Sequence, residues 1–276
     1  MEYVIGFVIA LFIALTGVGA GTITVPILVL FLGVPAQVAV SIGLMFSTAV
    51  KLVLVPSQIA RRNVAWRTLG FMVLGGAPGV LLGSLVLQHL VSKGSQNLLN
   101  AILGAILVGT ASWQIFYSFR PMRENSGTRD RSPLLAWLMF PVGAEVGFSS
   151  AGAGALGSAA LLSLTPLAPA QVVGTDILFG FIVSLIGSGA HWFSHASNPS
   201  LLLHLIVGGV LGAVSGTLVS TRIPRRPLRF ALCIWLLILG GQFLFNSFHV
   251  WASPDPHKSA APVVSSPSAP GNVPRG

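Results

Sequence analysis

The chain has 276 residues, of which 53% are hydrophobic and only 8% are charged. Soluble domains carry about 25% charged residues, so this composition excludes an ordinary water-soluble protein and is typical of an integral membrane protein. The net charge of +9 comes mostly from arginines in short connectors between apolar segments. That distribution indicates membrane topology rather than a nucleic-acid-binding surface. The single cysteine, Cys233, excludes an intrachain disulfide.

Apolar segments follow one another along most of the chain. About 20 apolar residues are needed to cross a bilayer as a helix. The segments that meet this requirement are 36–60, 69–87, 98–117, 170–193, 201–220 and 230–248. The stretches 3–32 and 134–164 are also apolar, but glycine-rich patches interrupt them, GVGAG at 17–21 and SAGAG at 150–154. The tail from 251 to 276 is rich in proline, serine and alanine, which predicts disorder.

The second half of the chain repeats the first at an offset of about 133 residues. The two glycine patches correspond, PAQVA at 35–39 corresponds to PAQVV at 169–173, and GGAPGVLLGS at 75–84 corresponds to GGVLGAVSGT at 208–217. Matched blocks in the same order predict an internal duplication, which is typical of transporter folds. We therefore expect a first transmembrane repeat at 1–117, a basic connector at 118–133 and a second transmembrane repeat at 134–250.

Basic residues predict the orientation of the two repeats. Arg61, Arg62 and Arg67 flank the start of the third apolar element of the first half, whereas the equivalent loop at 194–198 has no lysine or arginine. The bias is reversed in the next loop, because only Lys93 stands in the first half and four arginines lie within 221–229. Because basic loops stay in the cytoplasm, the halves are inverted and both termini are outside. This parity requires the stretch 3–32 to be a re-entrant hairpin or two short crossings.

The predicted fold is therefore all-α, a polytopic membrane bundle of two inverted repeats with broken helices near 17–21 and 150–154. Charged groups at membrane depth are costly and imply a partner or a function. The candidates here are Lys51, Asp176 and Glu145, together with the titratable His191. Lys51 is either a counter-charge for an anionic substrate or part of a structural ion pair. Asp176, Glu145 and His191 are either coupling or gating groups or form local hydrogen bonds.

The glycine patches suit a small anion. Two broken helices brought together by inverted symmetry would aim backbone N–H groups and positive helix ends at one point, with hydroxyl groups beside them. The candidate substrate-binding residues of these patches are Gly19, Gly21, Thr22, Thr24, Ser150, Gly152 and Gly154. The same glycines could alternatively serve close helix packing. We expect packing to be the role of the GGAPG and GGVLG blocks, because they stand within continuous apolar helices.

The sequence resembles the sulfite exporter TauE/SafE family of bacterial membrane permeases over about residues 8–245. The resemblance rests on GVGAGTITVPILVLFLGVPAQVAV at 17–40, PAQVVGTD at 169–176, SGAH at 188–191 and the small-residue block at 209–224. It implies a secondary transporter of small sulfur-containing anions. Thr175 and Asp176 keep the family's GTD-like pattern in the second half, and Lys51 matches its lysine. In the first half Gly43 replaces the acidic residue, which puts coupling through two acids in doubt.

The expected function is export of a small anion such as sulfite or an organosulfonate, by alternating access around a midplane site in the bacterial inner membrane. The expected partners are membrane lipid and the anion, with a possible homo-oligomer and without nucleic acid. Neither a cofactor nor a metal is expected, and no residue is assigned a catalytic role. Two alternatives stay open, an intramembrane enzyme acting on a lipid-linked phosphate and a non-transporting assembly partner.

Overall fold

The computed structural model describes residues 2–16, 20–92, 96–118, 131–151, 153–192, 199–219, 233–242 and 244–245. The helices of this part of the chain are α1 (Glu2–Thr16), α2 (Ala20–Leu32), α3 (Ala36–Ala60), α4 (Trp66–Ser92), α5 (Gln96–Ser118), α6 (Leu134–Ser149), α7 (Ala153–Leu164), α8 (Pro169–Trp192), α9 (Pro199–Val219) and α10 (Cys233–Gln242). Within these ranges the chain is helical without strands, which confirms the predicted all-α class. The predicted tail, most of the basic connector and the arginine loop 221–229 lie outside the described residues.

Among the described helices, α3, α4, α8 and α9 are long and apolar enough to cross a membrane. Their outward faces carry large exposed apolar side chains, for example Leu74 and Leu85 on α4 and Leu211 and Leu218 on α9. Soluble monomers rarely expose contiguous apolar surfaces of this kind, because water solvates them poorly. Lipid tails solvate them well. The bundle is therefore a polytopic membrane protein.

Two consecutive pairs of described helices are too short to cross. α1, α2, α6 and α7 have 15, 13, 16 and 12 residues. At a rise of 1.5 Å per residue each spans roughly 18–24 Å, less than the hydrocarbon core of about 30 Å. The breaks between α1 and α2 and between α6 and α7 fall at the two predicted glycine patches. The patches therefore end one short helix and begin the next.

In the second half, the short helices form a hairpin. α4 runs parallel to both α6 and α8, because the residues in contact advance together along the helices. The pairs are Gly75 with Ala136 and Gly83 with Ala144 for α6, and Gly76 with Val183 and Val80 with Gly187 for α8. α7 returns antiparallel to α8, because only residues 165–168 connect them and Ser158 bonds to Asp176 near the start of α8. α6 and α7 therefore run in opposite directions and meet at a tip near Ser150.

The first half repeats this arrangement. α1 runs parallel to α9, since Tyr3 lies against Gly208 and Phe7 against Gly212. α2 packs antiparallel on α3 across the short connection 33–35. The tip between α1 and α2 falls at residues 17–19, which lie outside the described part of the chain. The sequence left open a re-entrant hairpin or two short crossings for 3–32, and the lengths and directions of α1 and α2 favour the re-entrant hairpin.

Packing between the halves is reciprocal. The first helix of each half packs most extensively on the fourth helix of the other, α1 on α9 and α6 on α4. The third helices, α3 and α8, cross in the middle and are antiparallel, since Leu44 lies against Gly187 and Ser47 against Ser184. α3 and α8 are equivalent helices of the two halves. Because they are antiparallel, the twofold axis that relates the halves is perpendicular to them. The two halves are therefore inverted relative to each other, as predicted.

The GGAPG and GGVLG blocks serve packing, which confirms their predicted role. A Cβ at Gly79 would overlap the carbonyl oxygen of Phe140 on α6, and a Cβ at the equivalent Gly212 would overlap that of Phe7 on α1. Glycine lets the two backbones approach until they touch, which increases dispersion contact in a medium without a hydrophobic driving force. These close contacts fix each hairpin against the opposite repeat.

The described basic residues of the connectors gather at one end of the molecule. Arg61 and Arg62 follow α3 there, and Arg131 precedes α6 and donates its backbone N–H to Leu164 at the end of α7. The opposite end carries the starts of α1 and α9, where Glu2 and His204 form an ion pair. The described arginines therefore lie at the end of the bundle opposite to the starts of α1 and α9. This arrangement agrees with the charge pattern that we used to predict the topology. Lys93 and the loop 194–198 lie outside the described residues.

Candidate functional site

The start of α2 lies close to the junction between α6 and α7. Gly21, in the first turn of α2, lies so close to Ser150 that a Cβ on it would overlap the backbone and hydroxyl of Ser150. Ser150 follows the end of α6 and precedes α7, which begins at Ala153. The N-termini of α2 and α7 therefore open into the same region. Helix N-termini carry partial positive charge and free N–H groups, so this region favours an anion.

Ser150 holds the second tip in an unusual backbone conformation. Its φ is 61°, and its N–H donates to the carbonyl of Val146 at 2.8 Å to close the last turn of α6. This left-handed conformation costs a residue with a side chain about 1–2 kcal/mol, whereas it costs glycine little. The equivalent position of the first half is Gly17. Glycine would therefore be the less strained choice at this tip, yet the second half carries serine.

Polar side chains line the contact between α3 and α8, and we call this contact the polar seam. Its residues are Ser47, Thr48 and Lys51 on α3 and Asp176, Ser184 and Ser188 on α8. On α3, Gly43, Ser47 and Lys51 recur at every fourth position and so share one face of the helix. Ser47 donates to Ser184 of α8 at 3.4 Å. One turn away, the hydroxyls of Thr48 and Ser188 lie 3.1 Å apart. These bonds hold the two central helices together at the crossing that relates the repeats.

Lys51 and Asp176 stand at this seam, as the sequence predicted for a charged centre. Lys51 is 6% exposed and Asp176 is 4% exposed, and the two charges act on each other electrostatically. Asp176 accepts a hydrogen bond of 2.6 Å from Ser158 of α7. Gly157 leaves room for the same carboxylate, because a Cβ there would overlap its oxygen. The structure thus brings Lys51, Asp176 and the tip of the second hairpin into one region.

Thr175 closes one end of the bundle. Its hydroxyl accepts a hydrogen bond of 3.0 Å from the backbone N–H of Ala65, in the connection between α3 and α4. Beside it, the carbonyl of Asn63 packs against Gly174 so closely that a Cβ would not fit. Thr175 therefore seals the arginine-bearing end of the bundle over Asp176. Sequence reasoning missed this sealing contact, and the predicted contribution of Thr175 to substrate binding stays a prediction.

His191 and Glu145 lie apart from Lys51 and Asp176. His191 is fully buried near the end of α8, where its Nε2 is 3.5 Å from the carbonyl oxygen of Gly147 on α6. Glu145 faces the other side of α6 and lines a largely apolar groove of about 510 Å³ between α4, α5 and α6. The three predicted coupling or gating residues are thus separated in space, and Asp176 alone of them stands next to Lys51.

The other predicted residues lie on the hairpins themselves. Thr22 and Thr24 are fully buried in α2, and Gly154 is in the first turn of α7. Gly19 and Gly152 lie outside the described residues. No group of metal-binding side chains occurs in the part of the chain that is described. The sequence reading missed Ser47, Ser158 and Ser184, although the spacing of four residues from Ser47 to Lys51 was a usable signal.

Chemically, the region offers one cation, one carboxylate, hydroxyl groups and two helix N-termini, all within a helical bundle that faces lipid. Its described residues do not include the clustered acids, histidines and arginines that hydrolysis of a phosphate ester would need. Such a set is suited to holding and releasing a small anion.

Comparison with known proteins agrees with this chemistry. The family model of the sulfite exporters TauE/SafE matches residues 3–243. A similar protein is the "Probable membrane transporter protein YjnA" of Bacillus subtilis (strain 168), which is 26% identical over 243 residues, covering 85% of this chain and 95% of the relative. No solved structure matches the chain. The chain belongs to the TauE/SafE sulfite exporter family and is a membrane transporter rather than an enzyme.

Proposed function

We propose that this transporter exports small sulfur-containing anions, such as sulfite or an organosulfonate, by alternating access around the meeting point of its hairpin tips. The observation that carries the proposal is the contact of Gly21 and Gly43 with Ser150, two helical turns along α3 from the buried Lys51. Inverted repeats whose broken helices meet near the middle of the bundle are the arrangement in which secondary transporters hold their substrates. The description of the matching family supports sulfur oxyanions as the substrate class.

Lys51 would supply the counter-charge, and the N-termini of α2 and α7 would supply N–H donors. Asp176, held by Ser158, would organise or titrate the gate beneath Thr175. With the cell interior negative, outward movement of one negative charge is favoured by about 2.3 kcal/mol per 100 mV. Export of an anion therefore needs no second ion as an energy source.

We further propose that the protein lies in the bacterial inner membrane with its arginine-bearing end in the cytoplasm. Positively charged connectors are retained on the cytoplasmic side during insertion. In this orientation the seal made by Ala65 and Thr175 is the cytoplasmic gate, through which an exported anion enters.

Flux in proteoliposomes tests the proposal. Purified protein is reconstituted, an inside-negative potential is imposed, and release of trapped sulfite, sulfoacetate and sulfate is followed. We expect potential-driven release of at least one sulfur anion, with Lys51→Met slower by at least tenfold. Arg67→Met is the matched control, because it removes an exposed cation from the cytoplasmic end and should release the anion at the normal rate.

Absence of flux for every anion, with correct insertion, would contradict transport of these substrates. Phosphatase activity on a lipid-linked phosphate would instead support the enzyme alternative. Equal rates for Lys51→Met and the wild type would leave transport intact and remove Lys51 from the site.

A further inference from the structure

We infer that the two halves of the site are unequal, and that the hydroxyl of Ser150 over Gly43 is the donor that selects the transported oxyanion. The inference rests on the proposed function and assigns the position that the substrate takes in the site. Repeats related by a twofold axis would supply two equivalent half-sites if their residues matched. At the position where the second half carries Asp176, the first half carries Gly43.

The first observation is how closely Ser150 approaches Gly43. A Cβ at this position would lie 3.0 Å from Ser150 Oγ and 3.2 Å from a methyl of Val25. The serine hydroxyl of the second half thus projects over the glycine of the first half. Gly21, against the same hydroxyl, also lacks a side chain. The hydroxyl therefore lies between two glycines, Gly21 of α2 and Gly43 of α3, and we call this position the enclosure.

The hydroxyl itself is the second observation. Ser150 is 5% exposed, and its Oγ has no hydrogen-bond partner among the residues that the structure describes. A buried hydroxyl without a partner costs free energy, and so does a left-handed backbone at a residue with a side chain. Gly17, at the equivalent tip of the first half, avoids both costs. The side chain of Ser150 therefore weakens the fold at two points and makes no hydrogen bond to the described residues.

A ligand that accepts this hydrogen bond would offset both costs. The charge around the hydroxyl favours an anion, because the N-termini of α2 and α7 open beside it and Lys51 lies two turns from Gly43 along the same face of α3. The carboxylate of Asp176 makes the other half-site repulsive to an anion. The oxyanion therefore places one oxygen against Ser150, and the absent side chain at residue 43 admits only a small group there.

Binding and stability measured together test this role. For wild type, Ser150→Gly and Ser150→Ala, the thermal midpoint of unfolding and the dissociation constant of sulfite are measured in one detergent. Loss of a hydrogen bond to a charged acceptor corresponds to a dissociation constant about 10- to 100-fold higher. We expect this loss in both variants, together with a higher unfolding midpoint for Ser150→Gly. A purely structural serine predicts the reverse, a lower midpoint and unchanged affinity.

Gly43→Ala tests the enclosure separately. Its Cβ would occupy the space over Gly43, so we expect sulfite affinity to fall at least tenfold. Gly240→Ala is the matched control. Its Cβ would meet Val108 and Leu107 at 2.8–3.3 Å, which is comparable crowding between α10 and α5, away from the helices that contact Ser150, and sulfite affinity should persist.

The outcomes separate this inference from the proposed function. If wild-type protein binds and transports sulfite while Ser150→Gly and Ser150→Ala bind it equally well, the role of Ser150 is wrong and the transporter proposal stands. If the wild type binds none of sulfite, sulfoacetate and sulfate, the proposed substrate class fails first. Equal losses of affinity in Gly43→Ala and Gly240→Ala would assign the effect to crowding and overturn the enclosure over Gly43.

Discussion

At the scale of single residues, the central feature is a lysine and an aspartate buried at the crossing of α3 and α8. Removing a charge from water costs several kcal/mol, which only a partner charge and further hydrogen bonds can offset. Asp176 has such a bond from Ser158 and lies in the field of Lys51. The polar groups of the seam therefore depend on one another for stability.

A double-mutant cycle measures this dependence. Lys51→Met and Asp176→Asn should each lower the unfolding free energy, because each leaves a buried charge without its opposite. The double variant should lose less than the sum, with a coupling energy of about 1–3 kcal/mol. Equilibrium unfolding in one detergent gives all four values.

The control for this cycle pairs Lys51→Met with Glu2→Gln. Glu2 bonds to His204 at the far end of the molecule, so the two losses should add. Additive losses for Lys51 and Asp176 would show that the two charges do not stabilise each other.

At the scale of helices, the glycines of α4 and α9 decide how closely the repeats approach. The hairpin helices α1 and α6 lie against glycine backbones rather than against side chains. An added methyl group in such a contact must push two helices apart, because the overlapping atom is a backbone carbonyl that cannot rotate away. Alanine should therefore act very differently at glycines on opposite faces of one helix.

Gly79→Ala and Gly70→Ala make this comparison within α4. A Cβ at Gly79 would overlap the carbonyl oxygen of Phe140, whereas a Cβ at Gly70 meets no atom within 4 Å. We expect Gly79→Ala to lower the unfolding free energy by about 1–3 kcal/mol. Gly70→Ala should leave it unchanged or raise it slightly, since alanine favours the helix. Thermal unfolding of the two purified variants checks both, and equal stabilities would contradict close packing of α4 on α6.

At the scale of the whole molecule, the inverted repeats place the described arginines of the connectors at one end and the starts of α1 and α9 at the other. We expect this charge asymmetry to set the orientation in the membrane, because translocation of several clustered arginines is unfavourable. The same geometry directs the two hairpins from opposite ends towards a common middle. Topology and site geometry are therefore consequences of one duplication.

Cysteine accessibility tests this orientation. In a Cys233→Ala background, Ser200→Cys at the start of α9 should react with a membrane-impermeant maleimide on intact cells. Arg61→Cys and Arg131→Cys should react only after permeabilisation. All three positions are exposed in the structure, so burial does not limit labelling. Labelling of Ser200→Cys and Arg61→Cys from the same face would contradict the inverted arrangement.

The sequence by itself determined the class of the protein, the positions of its long helices and the two breaks. These properties depend on neighbouring residues, since hydropathy over about 20 residues predicts a span and clustered glycine predicts an interruption. The duplication was also readable, because matched blocks keep their order along the chain. The predicted boundaries of the repeats and of the connector stay predictions.

Only the tertiary structure decided which polar groups meet. In the sequence, Glu145, Asp176 and His191 are all titratable residues within apolar segments. In the structure, Glu145 lines a groove, Asp176 lies at the polar seam and His191 lies against α6, because each helix is rotated differently. The sequence contained Gly43 and Ser150 without relating them, because they are far apart in the chain and belong to opposite repeats. Local patterns fix elements, whereas contacts between residues distant in sequence depend on how the whole bundle packs.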